Sequence, residues 1–171
     1  MRACCVLLSL LSLAAGRSSA QSGAPRPAVA VLNLRFDGEH ANVLEPGDTA
    51  VVGAATGRLR ATLQASDRVT VVDSGAVAAA VAVQEAGGNP CDNGCAVAVA
   101  RGLDARWVVK GTITKLSNLV WVLTAELFDA GVGKPVLADS YEIKGDAARM
   151  APAGARVFAE RVEKAIVGGS R

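Results

Sequence analysis

Three strand-length segments follow one another between Arg106 and Lys144 with little between them, and this spacing limits the folds open to the chain. Arg106 to Leu116 and Leu119 to Asp129 are separated only by Ser117-Asn118. So short a gap admits a hairpin, whereas a parallel crossover needs a dozen or more residues. Ala130 to Pro135 forms the next turn, and Val136 to Lys144 completes a three-stranded antiparallel meander. In the middle strand Trp121, Leu123, Ala125 and Leu127 fall on one face, with Val122, Thr124, Glu126 and Phe128 on the other. That two-residue period places the first face in a core.

Upstream the pattern changes to alternating strand and helix. Ala28 to Phe36 opens as a near-continuous apolar run, as expected of a central strand covered on both faces. Asp37 to Gly47 reads as a loop, with Asp48 placed to cap a helix whose Val52, Ala55, Leu59 and Leu63 recur at helical spacing. Arg68 to Val72 is a short β-branched strand. Asp73-Ser74 caps an alanine-rich helix that Gly87-Gly88 ends. A short helix from Ala96 to Arg101 precedes the meander. A last helix carries Val157, Phe158, Val162 and Ile166 at helical spacing, with Pro152 near its start. The expected fold is therefore α/β (α+β): a mixed sheet of about five strands with helices packed on it. The order is β-α-β-α-(short α)-β-β-β-α, in one domain over residues 28–168. No internal repeat at a fixed period is visible.

The first twenty residues read as a secretory signal peptide. Arg2 gives the positive start, Ala3 to Ala15 is apolar and uncharged, and Ser18-Ser19-Ala20 supplies small side chains for cleavage between Ala20 and Gln21. The apolar run meets Arg17 before it reaches the roughly 20 residues of a membrane span. A periplasmic or secreted protein is expected, with 21–27 as a flexible, proline-interrupted leader. The chain has 18 basic and 16 acidic residues; removing Arg2 and Arg17 leaves 16 of each. A balanced charge argues against nucleic acid or an anionic membrane surface as partner, since both reward a basic excess.

Leu103-Asp104-Ala105-Arg106-Trp107-Val108-Val109-Lys110-Gly111, with the Lys115-Leu116-Ser117-Asn118-Leu119 hairpin and the preceding Cys91-Asp92-Asn93-Gly94-Cys95 element, resembles an uncharacterised family of secreted bacterial proteins. That family pairs a Leu-Gly-Ala-Asp-Tyr-Val-Val-x-Gly strand with a Lys-Val-Ser-Asn-Leu hairpin and a Cys-Asn-Gly-Cys element. Here Arg106-Trp107 replaces Asp-Tyr, and one extra residue lies between the cysteines. The element order is also similar to TolB-like amino-terminal domains and to the core of CsgG-like export proteins. The resemblance implies an α/β envelope domain that binds a protein or cell-wall component, with no catalytic residues to transfer. Fold likeness alone does not fix function.

Cys91 and Cys95 are the sharpest chemical feature. Outside the cytosol two neighbouring thiols pair, so a disulfide closing a very short loop is expected. Helical spacing of four would strain the bridge, so Pro90 and Asn93-Gly94 are expected to hold a turn ahead of the helix. The alternative is a thiol-dependent redox protein, because a thiol near a helix N-terminus has a lowered pKa. Two thiolates and the distant His40 supply too few ligands for a closed zinc site, so neither a metal nor another cofactor is expected. Gly53 to Arg58 and Gly131 to Lys134 carry the letters of phosphate loops without the strand, loop, lysine and helix order. Glu126, Asp129, Asp139 and Glu142 lie near the hairpins, where acid-base pairing competes with simple solvation. The reading is thus a non-catalytic envelope binding or accessory domain. Asn93, Gly94, Ser117 and Asn118 are the expected interaction surface.

Overall fold

A computed structural model describes residues 25–36 and 45–169. The signal segment, the Ala20–Gln21 junction, most of the leader and His40 lie outside the described residues. The sheet has strands β1 (Ala28–Val31), β2 (Arg35–Phe36), β3 (Thr70–Val71), β4 (Trp107–Lys115), β5 (Val120–Asp129) and β6 (Lys134–Lys144). Its helices are α1 (Asp48–Gln64), α2 (Ser74–Gln84), α3 (Asn93–Gly102) and α4 (Ala147–Gly168). The sheet order is β3-β1-β4-β5-β6, with β2 also on β4. Pairing is parallel among β1, β2, β3 and β4 and antiparallel through β4, β5 and β6. This is the mixed α/β sheet and meander read from the sequence.

Six strands stand where about five were expected, because the first one is broken. Between Val31 and Arg35 the strand is interrupted: Leu34 N–H donates to Thr56 Oγ1 (3.1 Å), and Arg60 Nη2 donates to the Val31 carbonyl (2.9 Å) and to Asn33 Oδ1 (2.8 Å). Side chains of α1 thus take over backbone groups that a neighbouring strand would otherwise pair. Both halves still lie along β4, Val31 opposite Val109 and Arg35 opposite Thr112.

Each face of the sheet has its own core. On one, Val29, Val31, Trp107, Ile113, Leu123 and Leu127 pack against Leu59 and Leu63 of α1 and Phe158, Val162 and Ile166 of α4. On the other, Ala30, Val108 and Phe128 meet Val77 of α2 and Val97 and Val99 of α3. Helices therefore cover both faces of the parallel half, the arrangement that such sheets require. Val157, expected inside, stands 37% exposed while its neighbour Phe158 is fully buried, because the α4 stripe runs through Ala151, Ala155, Phe158, Val162 and Ile166. Pro152 lies in the second turn of α4, past the position where its missing N–H is free of consequence.

Three local corrections follow from contacts distant in sequence. Asp48 does not cap α1; Gly47, at φ 106°, holds the cap position. The Asp48 carboxylate instead accepts from Glu45 N–H (2.8 Å) and from the buried Lys115 ammonium (3.0 Å). The Ser117-Asn118 connection is wider than a two-residue turn. The last ladder pair is Lys115 with Trp121, and Leu116 and Ser117 N–H both donate to the Val120 carbonyl (3.0 Å each). Finally, the third helix starts at Asn93, three residues before Ala96.

Candidate functional site

The cysteine turn, the cleft beside it and the open face of the meander adjoin one another. Asp92 is the N-cap of α3: it is extended, and its carboxylate accepts from Cys95 N–H at 2.8 Å. That satisfies one of the four orphan donors of a helix start. Cys91 and Cys95 form a disulfide across this cap, with Cα atoms 5.2 Å apart. Asn93 and Gly94 are therefore the first helical residues and not a separate turn. The bridge remains feasible because Cys91 stands outside the helix, so the pair is not spaced along a helical surface. Cys91 is buried at 5% exposure among Leu32, Val77 and Ala96, and its N–H donates to Glu85 Oε1 (2.7 Å). A buried sulfur has the character of a structural cysteine rather than a reactive one.

A cleft of about 340 Å³ opens beside this turn, between the chain leaving β1 and the outer part of α2. Its floor and wall are apolar, from Leu32, Val77, Val81 and Cys91, while Arg35, Arg60, Lys110 and Glu85 supply its charges. Arg35 Nη1 pairs with Glu85 Oε1 at 3.3 Å, both side chains more than a third exposed. Lys110 Nζ donates to Asn93 Oδ1 at 2.8 Å. Partial burial lowers the pKa of Arg60 from its ordinary value. Sequence patterns alone do not find this cleft, since its lining comes from five separate segments.

Beyond Lys110, among the described residues, no helix packs on this face of the sheet. Lys110, Glu126 and Ala138 form one cross-strand row, Thr112, Thr124 and Ser140 the next, and Thr114, Val122 and Glu142 the third. Thr124, Ala138, Ser140 and Glu142 are exposed, and the β4 and β5 members other than Thr124 are half-buried. Asn93 and Gly94 border this face at one end, and Ser117 and Asn118 mark the other. The run from Lys110 to Lys115 separates them by roughly 17 Å at about 3.3 Å per residue. At the far end Ser117 Oγ accepts from Leu119 and Val120 N–H (3.2 and 3.1 Å), and Leu119 is 70% exposed.

The four acidic residues near the hairpins are not brought together as a pair. Asp129 accepts from Arg106 Nη2 (3.0 Å) and from Gly131 N–H (2.8 Å). Burial works to raise the Asp129 carboxyl. The Arg106 hydrogen bond, the turn N–H groups and the Arg106 charge outweigh it and hold the group below the usual carboxylate range. Asp139, on the α4 face, pairs with Arg161 (2.6 Å) and accepts from Tyr141 Oη (2.9 Å). Burial, then the Asp139 hydrogen bond and charge, push the Tyr141 phenol up. Glu142 pairs with Lys144 at 3.2 Å. Glu126 and Glu142 point to the open face, opposite to Asp139. Among the described residues no group of three or more His, Cys, Asp or Glu is placed to hold a metal ion, and no helix is long and apolar enough to cross a membrane.

A search of curated proteins finds no match. Among solved structures, TolB from Acinetobacter baumannii aligns with a TM-score of 0.54 at 14% identity, over 84% of this chain and 29% of TolB. The chain thus spans less than a third of that protein's length, and the likeness is one of fold. The LpoB C-terminal domains from Salmonella enterica and Escherichia coli align at TM-score 0.48 each. Their identities are 18% and 22%, covering 73% and 70% of this chain and 87% and 83% of those domains. Residues 27–161 match the model of a family described as protein of unknown function (DUF2380), and the chain is a member of that DUF3280 family with a TolB-like fold.

Proposed function

We propose that the chain is an exported, non-catalytic accessory domain of the bacterial cell envelope, cleaved between Ala20 and Gln21 and folded as one unit over 28–168. It meets a protein or cell-wall partner across the bare meander face between Asn93-Gly94 and Ser117-Asn118. The observation that carries this reading is that face itself. The hydroxyl row of Thr112, Thr124 and Ser140 lies on a sheet face whose reverse packs against α4, and among the described residues no helix covers that row. The oxidised Cys91–Cys95 pair supports export, because disulfides persist where the cytosolic reductants are absent. The redox alternative rests on a thiol near a helix N-terminus, and the burial of Cys91 counts against it.

The test places a photocrosslinking side chain at Thr124 or Ser140 in the full-length protein within its native cells. The control carries it at Arg156 on the exposed side of α4. A discrete adduct from both face positions and none from Arg156 is the expected result. Adducts from Arg156 alone, or none from the face positions, would overturn the assignment. Fractionation of the same cells checks export, with retention of the uncleaved chain in the cytosol as the refuting result.

A further inference from the structure

We propose that the cleft between the β1–β2 connection and α2 is a binding site for a small amphipathic carboxylate, held by Arg60, Arg35 and Lys110 with its apolar part against Leu32, Val77 and Val81. This goes beyond the envelope-accessory reading and does not depend on it.

The position follows from the topology. β1 lies between β3 and β4 and is parallel to both, and the strand order reverses between β1 and β4: α1 leads from β1 outward to β3 on the face packed with α4, whereas α2 and α3 lead from β3 back to β4 on the opposite face. In open α/β sheets the crevice beyond the carboxyl ends of strands at such a reversal is where ligands bind. Leu32 and Asn33 leave β1 at that point, and the break in the strand, held by Arg60, leaves the edge of the cleft unfilled by ladder. Its volume of about 340 Å³ is at the lower end of small-molecule sites, and its mixed lining of apolar walls with a few polar groups is their usual composition.

The charge pattern selects the ligand. Three cations face one carboxylate, Glu85, and that carboxylate is engaged by Arg35 and by Cys91 N–H. Arg60 uses a single nitrogen, Nη2, for both of its hydrogen bonds, and Lys110 spends one contact on Asn93. Both cations therefore retain donors for a bound anion, and a guanidinium fork matches a carboxylate in two-point contact. A guanidinium fork suits phosphate as well, but the helix N-terminus that would add to a phosphate site, that of α3, is already capped by the Asp92 carboxylate. The C-terminal end of α2 lies along the wall and repels multiply charged anions, whereas a single carboxylate with an alkyl or aryl part satisfies both halves of the lining.

The experiment titrates the oxidised protein with hexanoate, hexanamide and inorganic phosphate while following backbone amide shifts. Hexanoate is expected to give saturable shifts centred on Leu32, Asn33, Val81 and Glu85. Hexanamide should bind about tenfold more weakly, as expected for loss of a charge-assisted contact. Lys110→Gln, on the half-exposed rim, is expected to weaken hexanoate by a similar factor without a change in melting temperature. Arg35→Gln serves if that variant fails to fold. Four results would each overturn the proposal: no saturation by about 20 mM, in the range of very weak binding; equal binding of hexanamide; phosphate binding as tightly as hexanoate; or shifts centred away from the cleft.

Discussion

Gly111 offers a measurement in which the sign of the effect is set by two opposed contributions. It lies in the middle of β4 opposite Ala125, and a Cβ built there falls 2.7 Å from the Thr124 carbonyl oxygen, 2.7 Å from Leu34 Cδ2 and 3.2 Å from Ala125 Cβ. Leu34 is the residue that the broken first strand lays over β4, and its methyl can swing aside. The Thr124 carbonyl is fixed by the ladder, so the strands must part. Overpacking of this kind costs about 1–3 kcal/mol, and a contact with backbone belongs at the upper end. Gly→Ala also restricts the unfolded chain, which returns about 0.4–1 kcal/mol. The net expectation for Gly111→Ala is destabilisation by about 2 kcal/mol. For a domain of this size that corresponds to a melting temperature lower by roughly 4–8 °C. Urea unfolding followed by circular dichroism gives the free energy directly, with an unchanged slope confirming that the denatured state is unaltered. Gly57→Ala is the internal control: this α1 glycine has nothing within 4 Å of the added carbon. There the helix propensity gain acts alone and stability should rise by about 0.5–1 kcal/mol. The reasoning fails if Gly111→Ala unfolds at or above the wild-type midpoint while Gly57→Ala behaves as stated.

Two further measurements probe the site region. Replacing Cys91 and Cys95 together by serine releases a closure of only five residues, for which the chain-entropy relation gives about 2 kcal/mol. A melting temperature lower by roughly 4–8 °C with the fold retained is expected, and an unchanged one would show that the bridge constrains nothing. Asp129 carries an acid-dependent contribution: its folded pKa lies below the ordinary 3.8, so the stability it adds is complete above that value and disappears as pH falls through the lower folded value. Asp129→Asn should therefore narrow its stability deficit relative to wild type below about pH 4, and a deficit constant across that range would refute the linkage.

The meander was legible because its signal is local. The two-residue alternation from Trp121 to Leu127 and the short turns leave little choice of pairing, and those residues are buried as read. Helix identities followed similarly from Leu59, Leu63, Phe158 and Val162. What could not be read depends on partners far along the chain. The break after Val31 is made by Arg60 and Thr56, more than twenty residues away. Asp48 looks like a cap in its own segment, yet its carboxylate is claimed by Lys115, which also lies 5.4 Å from the Trp121 ring centre. The cysteine pair was visible, but the burial of Cys91 and the cleft beside it were not, because Leu32, Val77 and Lys110 meet there only after the sheet has formed.

The central strand β1 has a consequence for how this chain is made. Among the described residues it is the earliest strand, but both of its neighbours come later: β3 some forty residues on, β4 nearly eighty. Synthesis from the amino terminus therefore leaves one edge of this apolar strand without its β4 partner long after β3 has emerged, and contacts this remote are the slow ones to close. The export proposed above would draw on this delay, since the sheet cannot lock around its middle while the residues of β4 are still to come.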